Sequence, residues 1–513
     1  MNAPECSTTK YRGSLVNSPL YLRIALVVFL LLGLGIRLYD LTDPPLDFHP
    51  TRQLLGALIS RGMYYQMLPE ADPTTRALAL EFSASIEEYE PPILNRIVAV
   101  TYLLMGSEQL WVARIYSSLF WLIGGVALFA LASRTVTPRS ALFVLGYYLF
   151  LPFAVEASRS FQVDPMMVMF ILITAFTFYR WMEEASWKWA VIAGLLAGIT
   201  ILVKVTAGFP VIAMAVAAIL KRYGFRESFR QLQVWAIAVL AAIPASLYYL
   251  ISLSGRSSSY FEFWTLSMWH LVLDASFFVR WMSFIHRFLD LSIVFIGLAG
   301  LLIAPKLARP LVLGLWVGYV IYGTFFPFQI HTHDYYHLML VAIIPLSAAP
   351  IVELFLARLS QQNRLWKTLF LGIAIVAVAY PIWVTRSNLL VRDFRHEPPI
   401  WEEIGQILPH DGNTIALTHD YGYRLMYYGW RKVSRLWPVG ADLDVAEIRG
   451  SGSIDRDYFE DRTQDVRYFL VTLGGELERQ AWLKNVLYGN YTILAEGDGY
   501  IIFDLESPLE RSY

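Results

Sequence analysis

PPLDFHPTRQLLGALISRGMYY, residues 44–65, follows the first long apolar run of the chain (Tyr21 to Tyr39) and crowds Asp47, His49 and Arg52 into one proline-bounded stretch. A loop that only joins two membrane helices has little need of a carboxylate, an imidazole and a guanidinium so close to lipid. A site that handles an anionic headgroup does. The plain alternative is an interfacial loop of solvated charges whose prolines end helices. The rest of the chain decides between them, by bringing or not bringing partners to the same face.

With 513 residues, 56% hydrophobic and 16% charged, the chain is too apolar and too long for one soluble domain and reads as a polytopic α-helical membrane protein. A net charge of -1 excludes a nucleic-acid binder held by bulk charge. The single cysteine, Cys6, allows no intramolecular disulfide. The first apolar run is long enough to span and lacks a small-residue cleavage site, so it reads as an uncleaved signal anchor.

About eleven apolar runs approach spanning length: 20–39, 110–132, 138–157, 163–182, 188–203, 205–220, 233–253, 288–304, 310–327, 336–357 and 366–385. With the tail 1–19 in the cytoplasm, the inner connections carry Lys10, Arg12 and Arg23; Arg134 and Arg139; Arg180 and Lys188; Lys221, Arg222, Arg226 and Arg230; Lys306 and Arg309; and Arg358, Arg364 and Lys367. Each is basic, as the positive-inside bias requires. This orients the chain in a cell inner membrane and sends acids and histidines to the outer face. The domain plan is therefore a tail (1–19), a membrane-spanning catalytic domain (20–385) with an outer loop at 40–109, and an extracytoplasmic domain (386–513).

Within the outer loop, Leu54 to Met67 and Thr74 to Glu88 have helix-like composition and are expected to lie on the membrane with apolar faces down. The aromatic-rich segment 254–287 reads as an interfacial belt. Beyond Val384, helix-like runs (400–408, 476–487) alternate with strand-like ones (414–418, 467–473, 491–495, 500–504), which predicts a small α/β domain.

Four outer features besides residues 44–65 can carry chemistry, and each has a simpler structural reading. Glu90 in Tyr89-Glu90-Pro91-Pro92 is held at the boundary by two prolines, or is a helix-start acid. Asp164 in SRSFQVDP (158–165) opens a span before Pro165; a helix-start role competes with a site role, for which Arg159 is the nearest partner in sequence. His331 and His333 in HTHDYYH (331–337) would bind a divalent metal if a carboxylate such as Glu90 approached, or donate to a phosphate while partly protonated. Lys204 either snorkels to the interface or binds phosphate.

The order of these motifs is itself informative: a charged outer loop, then EPP, ARIYSSL (113–119), SRSFQVDP, LVKVTAG (202–208) and HDYYHL (333–338). It resembles the bacterial GT-C membrane glycosyltransferases, specifically the protein O-mannosyltransferase-like and aminoarabinose-transferase-like families, over roughly residues 20–350. The resemblance implies a GT-C fold and transfer of a hexosyl or pentosyl group from a polyprenyl-phosphate donor to a glycan, lipid or protein acceptor at the outer leaflet. It also implies an acidic base, or an acid positioning one, in the first outer loop, a second acid at Asp164, and a lysine at Lys204 facing the lipid phosphate. The chain departs from the pattern at His49-Pro50-Thr51-Arg52-Gln53, where those families carry an acid pair. Either Asp47 or His49 is then the base, or the chemistry differs.

The catalytic candidates are thus Asp47, His49 and Asp164. Arg52, Glu90, Arg159, Lys204, His331, His333 and Tyr336 are the binding candidates. A transporter or flippase of a lipid-linked glycan would carry mid-membrane charges and inverted repeats, and the sequence shows neither. A non-catalytic envelope scaffold leaves the clustered outer acids without a purpose.

Overall fold

The computed structural model describes residues 19–88, 90–251, 262–410, 413–449 and 456–509. The tail with Cys6, Tyr89 and the opening of the aromatic segment, Phe261 included, lie outside the described residues.

The chain is mostly helical. Helices α1 (Leu20–Leu38), α2 (Pro50–Gln66), α3 (Pro73–Ala84), α4 (Ile93–Met105) and α5 (Trp111–Thr135) precede a broken pair, α6 (Pro138–Phe150) and α7 (Pro152–Ser158). Then come α8 (Asp164–Glu184), α9 (Trp187–Val203), α10 (Gly208–Ser228), α11 (Leu232–Ile251), α12 (Ala275–Leu289), α13 (Leu291–Ile303), α14 (Ala308–Phe325), α15 (Leu340–Ser360) and α16 (Arg364–Val391). Among the described residues eight helices are long and apolar enough to cross a membrane, or ten if each of two bent pairs is one span. The expected eleven are not reproduced, for local reasons. Pro152 bends the 138–157 run by 62°, the 288–304 run yields only the short α13 after a 98° bend, and α9 is a shorter apolar helix of 17 residues. Leu365, Leu369, Ile373, Val376 and Trp383 on α16 are exposed, the surface that lipid would cover.

Glycine allows the closest helix approach. A methyl group on Gly314 of α14 would come within 2.6 Å of Met214 Cα in α10, and Gly318 meets Pro210 in the same way. Small residues at such crossings bring two backbones together where no hydrophobic drive separates helix from lipid.

Helix α2 does not lie apolar face down. Leu54, Ala57, Leu58 and Ile59 are all buried, because α2 packs against α3, α4 and the C-terminal domain. In the aromatic segment, Phe277, Trp281, Ile285 and Leu289 turn one face of α12 inward, and Trp281 Nε1 donates to the Tyr319 hydroxyl at 2.9 Å.

The C-terminal domain begins after α16, with α17 (Glu397–Ile407), and is α/β as expected. Strands β1 (Thr414–Leu417), β2 (Arg435–Leu436), β3 (Tyr468–Val471), β4 (Tyr491–Gly497) and β5 (Tyr500–Pro508) form a sheet ordered β2-β1-β3-β5-β4. The first three are parallel and the β4–β5 hairpin is antiparallel. The domain is clamped to the outer loop. Arg61 of α2 donates to the Tyr427 carbonyl at 2.7 Å, pairs with Glu108 at 2.8 Å and lies over the rings of Tyr427 (3.7 Å) and Trp430 (4.2 Å). Thr51 donates to Asp420 at 2.7 Å, and Asp43 accepts from the Phe394 amide at 2.9 Å.

Candidate functional site

His49 caps the start of α2 with φ +48°, a left-handed conformation made unusual by the proline that follows it. That turn aims the ring at the 331–337 loop, where Nε2 meets Asp334 Oδ1 at 2.6 Å. A carboxylate only accepts, so Nε2 carries the proton of this hydrogen bond. Both side chains keep just over a quarter of their surface open, 28% and 29%, so the pair can meet a substrate. Tyr335 stands edge-on to His49 at 4.8 Å, and His333 stacks at 6.3 Å.

One turn along α2, Gln53 ties two motifs together. Its amide donates to Asp47 Oδ1 (3.1 Å) and to the Phe48 carbonyl (2.8 Å), and its oxygen accepts from the Phe161 amide (2.9 Å). Asp47 is buried against Arg114 at 2.9 Å, with side chains 7% and 1% exposed. Burial pushes the Asp47 pKa up, but Arg114, Arg159 and the Gln53 amide outweigh it and hold the carboxyl below its usual range.

The third group gathers acids and cations from distant segments. Asp164 opens α8, and Lys204 ends α9 with its backbone extended. Lys204 Nζ lies 2.9 Å from Asp164 Oδ1 and 3.4 Å from Glu90 Oε1, and Glu90 Oε2 lies 3.9 Å from Arg52 Nη2. Asp164 Oδ2 is buried without a hydrogen-bond partner among the described residues. Arg52 and Lys204 both approach the Tyr335 ring, at 5.4 and 5.8 Å.

These cations sit at the mouth of a groove of about 1030 Å³ between α10 and α14. Arg52, Glu90, Lys204, Tyr249 and Tyr336 supply its polar end; Phe209, Ile212, Val216, Leu313, Val317 and Ile321 are among the apolar side chains along its length. Tyr336 is held by stacking on Tyr322, ring centres 5.4 Å apart. The His49–Asp334 pair lines a second, polar hollow of about 460 Å³, to which Asp47 also contributes.

The structure therefore joins Asp164, Lys204, Glu90 and Arg52 directly and brings His49, His333 and Tyr336 around them. It does not bring Asp47 into that cluster, because Arg114 holds it. Arg159 is not the partner of Asp164; it donates to the Asp40 carbonyl at 2.8 Å. His331 is turned onto the Pro327 carbonyl at 2.6 Å, away from the mouth. His333 is not a partly protonated phosphate donor either: burial, helped by His49 and Arg52, pushes its pKa down to about 4. Among the described residues no three histidines, cysteines or carboxylates are arranged to hold a metal ion, and Glu90 approaches cations rather than the histidines. Sequence reasoning passed over Asp334 as a partner for His49, and gave Gln53 and Arg114 no part in the site. An arginine inside an apolar run was the available signal for Arg114.

Residues 89–249, which include Glu90, Asp164 and Lys204, match the family model described as dolichyl-phosphate-mannose-protein mannosyltransferase. A comparison with curated proteins finds no match. Among solved structures, ArnT from Cupriavidus metallidurans bound to undecaprenyl phosphate is 16% identical with a TM-score of 0.55, over 93% of this chain and 97% of that one. The oligosaccharyltransferase AglB from Archaeoglobus fulgidus, in complex with an inhibitory peptide and a dolichol-phosphate, is 12% identical with a TM-score of 0.57, over 94% of this chain and 74% of that one. The chain thus shares the fold of ArnT and AglB over most of its length and matches the dolichyl-phosphate-mannose-protein mannosyltransferase model across residues 89–249.

Proposed function

We propose that this protein is an integral-membrane glycosyltransferase that moves a hexosyl or pentosyl group from a polyprenyl-phosphate donor to an acceptor hydroxyl on the outer face of the cytoplasmic membrane. The observation that carries this reading is a long apolar groove ending at Arg52 and Lys204, with the His49–Asp334 pair beside the same mouth. The ArnT structure bound to undecaprenyl phosphate and the AglB structure with dolichol-phosphate support it by likeness of fold. The basic inner connections support the orientation.

In the proposed reaction the prenyl chain lies between α10 and α14 and its phosphate meets Arg52 and Lys204. His49, oriented through Nε2 by Asp334, offers the Nδ1 lone pair to the acceptor hydroxyl. The acceptor oxygen bonds to the anomeric carbon as the bond from that carbon to the phosphate oxygen breaks. The hydroxyl proton passes to His49, and the electron pair leaves with the polyprenyl phosphate, whose charge Arg52 and Lys204 stabilise. A single displacement inverts the anomeric configuration. Asp47 acts at one remove, by fixing the loop that carries His49.

The test is transfer by the purified full-length protein from labelled polyprenyl-phosphate sugars, scored both as acceptor labelling and as release of sugar to water. His49→Ala is expected to lower turnover by about 10²–10⁴-fold. Undiminished turnover in that variant would overturn the assignment of the base.

A further inference from the structure

The polar hollow lined by His49 and Asp334 has a makeup quite unlike the apolar groove. Its volume of about 460 Å³ falls in the range of small-ligand sites. Phe153 and Phe288 form one wall, their ring centres 4.6 Å apart and their planes tilted by 31°. The lining also carries a polar network: Glu156 accepts from Arg392 at 3.0 Å and from the Asn388 amide at 3.3 Å. His49 and Asp334 complete the lining.

We infer that this hollow is the acceptor subsite and that the acceptor group it receives is a saccharide. The inference rests on the transferase reading above and names its second substrate. A sugar ring has an apolar C–H face that lies against aromatic rings and an equatorial rim of hydroxyls. Those hydroxyls both donate and accept, so they pair with a lining that offers carboxylate, amide and guanidinium together. An acyl chain would leave the Glu156–Asn388–Arg392 wall facing hydrocarbon without compensation. An extended peptide takes most of its affinity from main-chain pairing at a strand edge, and this hollow is walled by side chains of helices and loops. A hydroxyl of a sugar seated here would meet His49, which lines the hollow.

The experiment offers the full-length protein a set of labelled polyprenyl-phosphate sugars with three acceptor pools: methyl glycosides of hexoses, hexosamines and uronic acids; serine- and threonine-containing peptides; and diacylglycerol. The expected result is label on a glycoside. Asn388→Ala and Phe288→Ala, made separately, should each lower the ratio of glycoside transfer to donor hydrolysis by about tenfold or more through a raised acceptor KM. Label on peptide or diacylglycerol, donor hydrolysis with no glycoside labelled, or glycoside transfer indifferent to both variants would each overturn the inference. If no donor is turned over even by water, the transferase reading itself has failed.

Discussion

His49 and Asp334 meet at 2.6 Å although 285 positions separate them, and both line the polar hollow. Asp334→Asn should keep the contact but remove the negative charge that stabilises an imidazolium. Turnover is expected to fall while donor KM holds, and steady-state kinetics on the purified variant would show it.

The Lys204–Asp164 pair is buried on both sides, 6% and 4% exposed. Lys204→Met strands a carboxylate, and losing one partner of a buried pair costs about 3–5 kcal/mol. Thermal unfolding in detergent should register that loss. Adding Asp164→Asn should recover much of the stability without recovering turnover, which separates the pair's contribution to folding from its contribution to donor binding.

Asp47→Asn leaves Arg114 as a buried guanidinium without its carboxylate. A lower Tm is expected, with a smaller loss of turnover than His49→Ala causes. Because the Asp47 pKa is depressed in the folded protein, its stabilising contribution is present above the unfolded value near 3.8 and is lost only as pH falls through the lower folded value. Wild-type protein should therefore keep the Asp47 contribution down to pH values near 4.

His333 has the same sign with a different window. Its folded pKa of about 4 lies below the ordinary 6.5, so the neutral ring favours folding above pH 6.5 and that contribution is lost as pH falls toward 4. His333→Gln should flatten the decline of Tm between those two pH values.

Ala217 lines the groove between α10 and α14. Ala217→Trp should obstruct a long prenyl chain and leave a short one able to bind. The expected signature is a donor KM that rises with chain length in the variant more steeply than in wild type.

Much of this was legible in the chain itself. The long apolar helices were visible as apolar runs, and Asp164 and Lys204 could both be recognised as ionisable groups at span ends. Their pairing could not be read, because 40 residues and two helices intervene and only the α9 corner at Lys204 brings them together. The partner of Asp47 could not be read either, because Arg114 lies 67 positions away. The number of spans failed where Pro152 and the Asp290 corner turned apolar runs into bends, since hydropathy does not register direction. The C-terminal strands were visible from alternation, but not the two-residue strand Arg435–Leu436, which is too short to alternate.

The Arg61 guanidinium, caught between the rings of Tyr427 and Trp430, ties the outer domain to the very helix whose first turn presents His49 and Arg52. The domain is consequently no detachable appendage. A chain cut after Val391 would strip Arg61 of both rings and uncover the helix whose first turn holds His49, so any exchange of the C-terminal domain would have to carry α2 along with it.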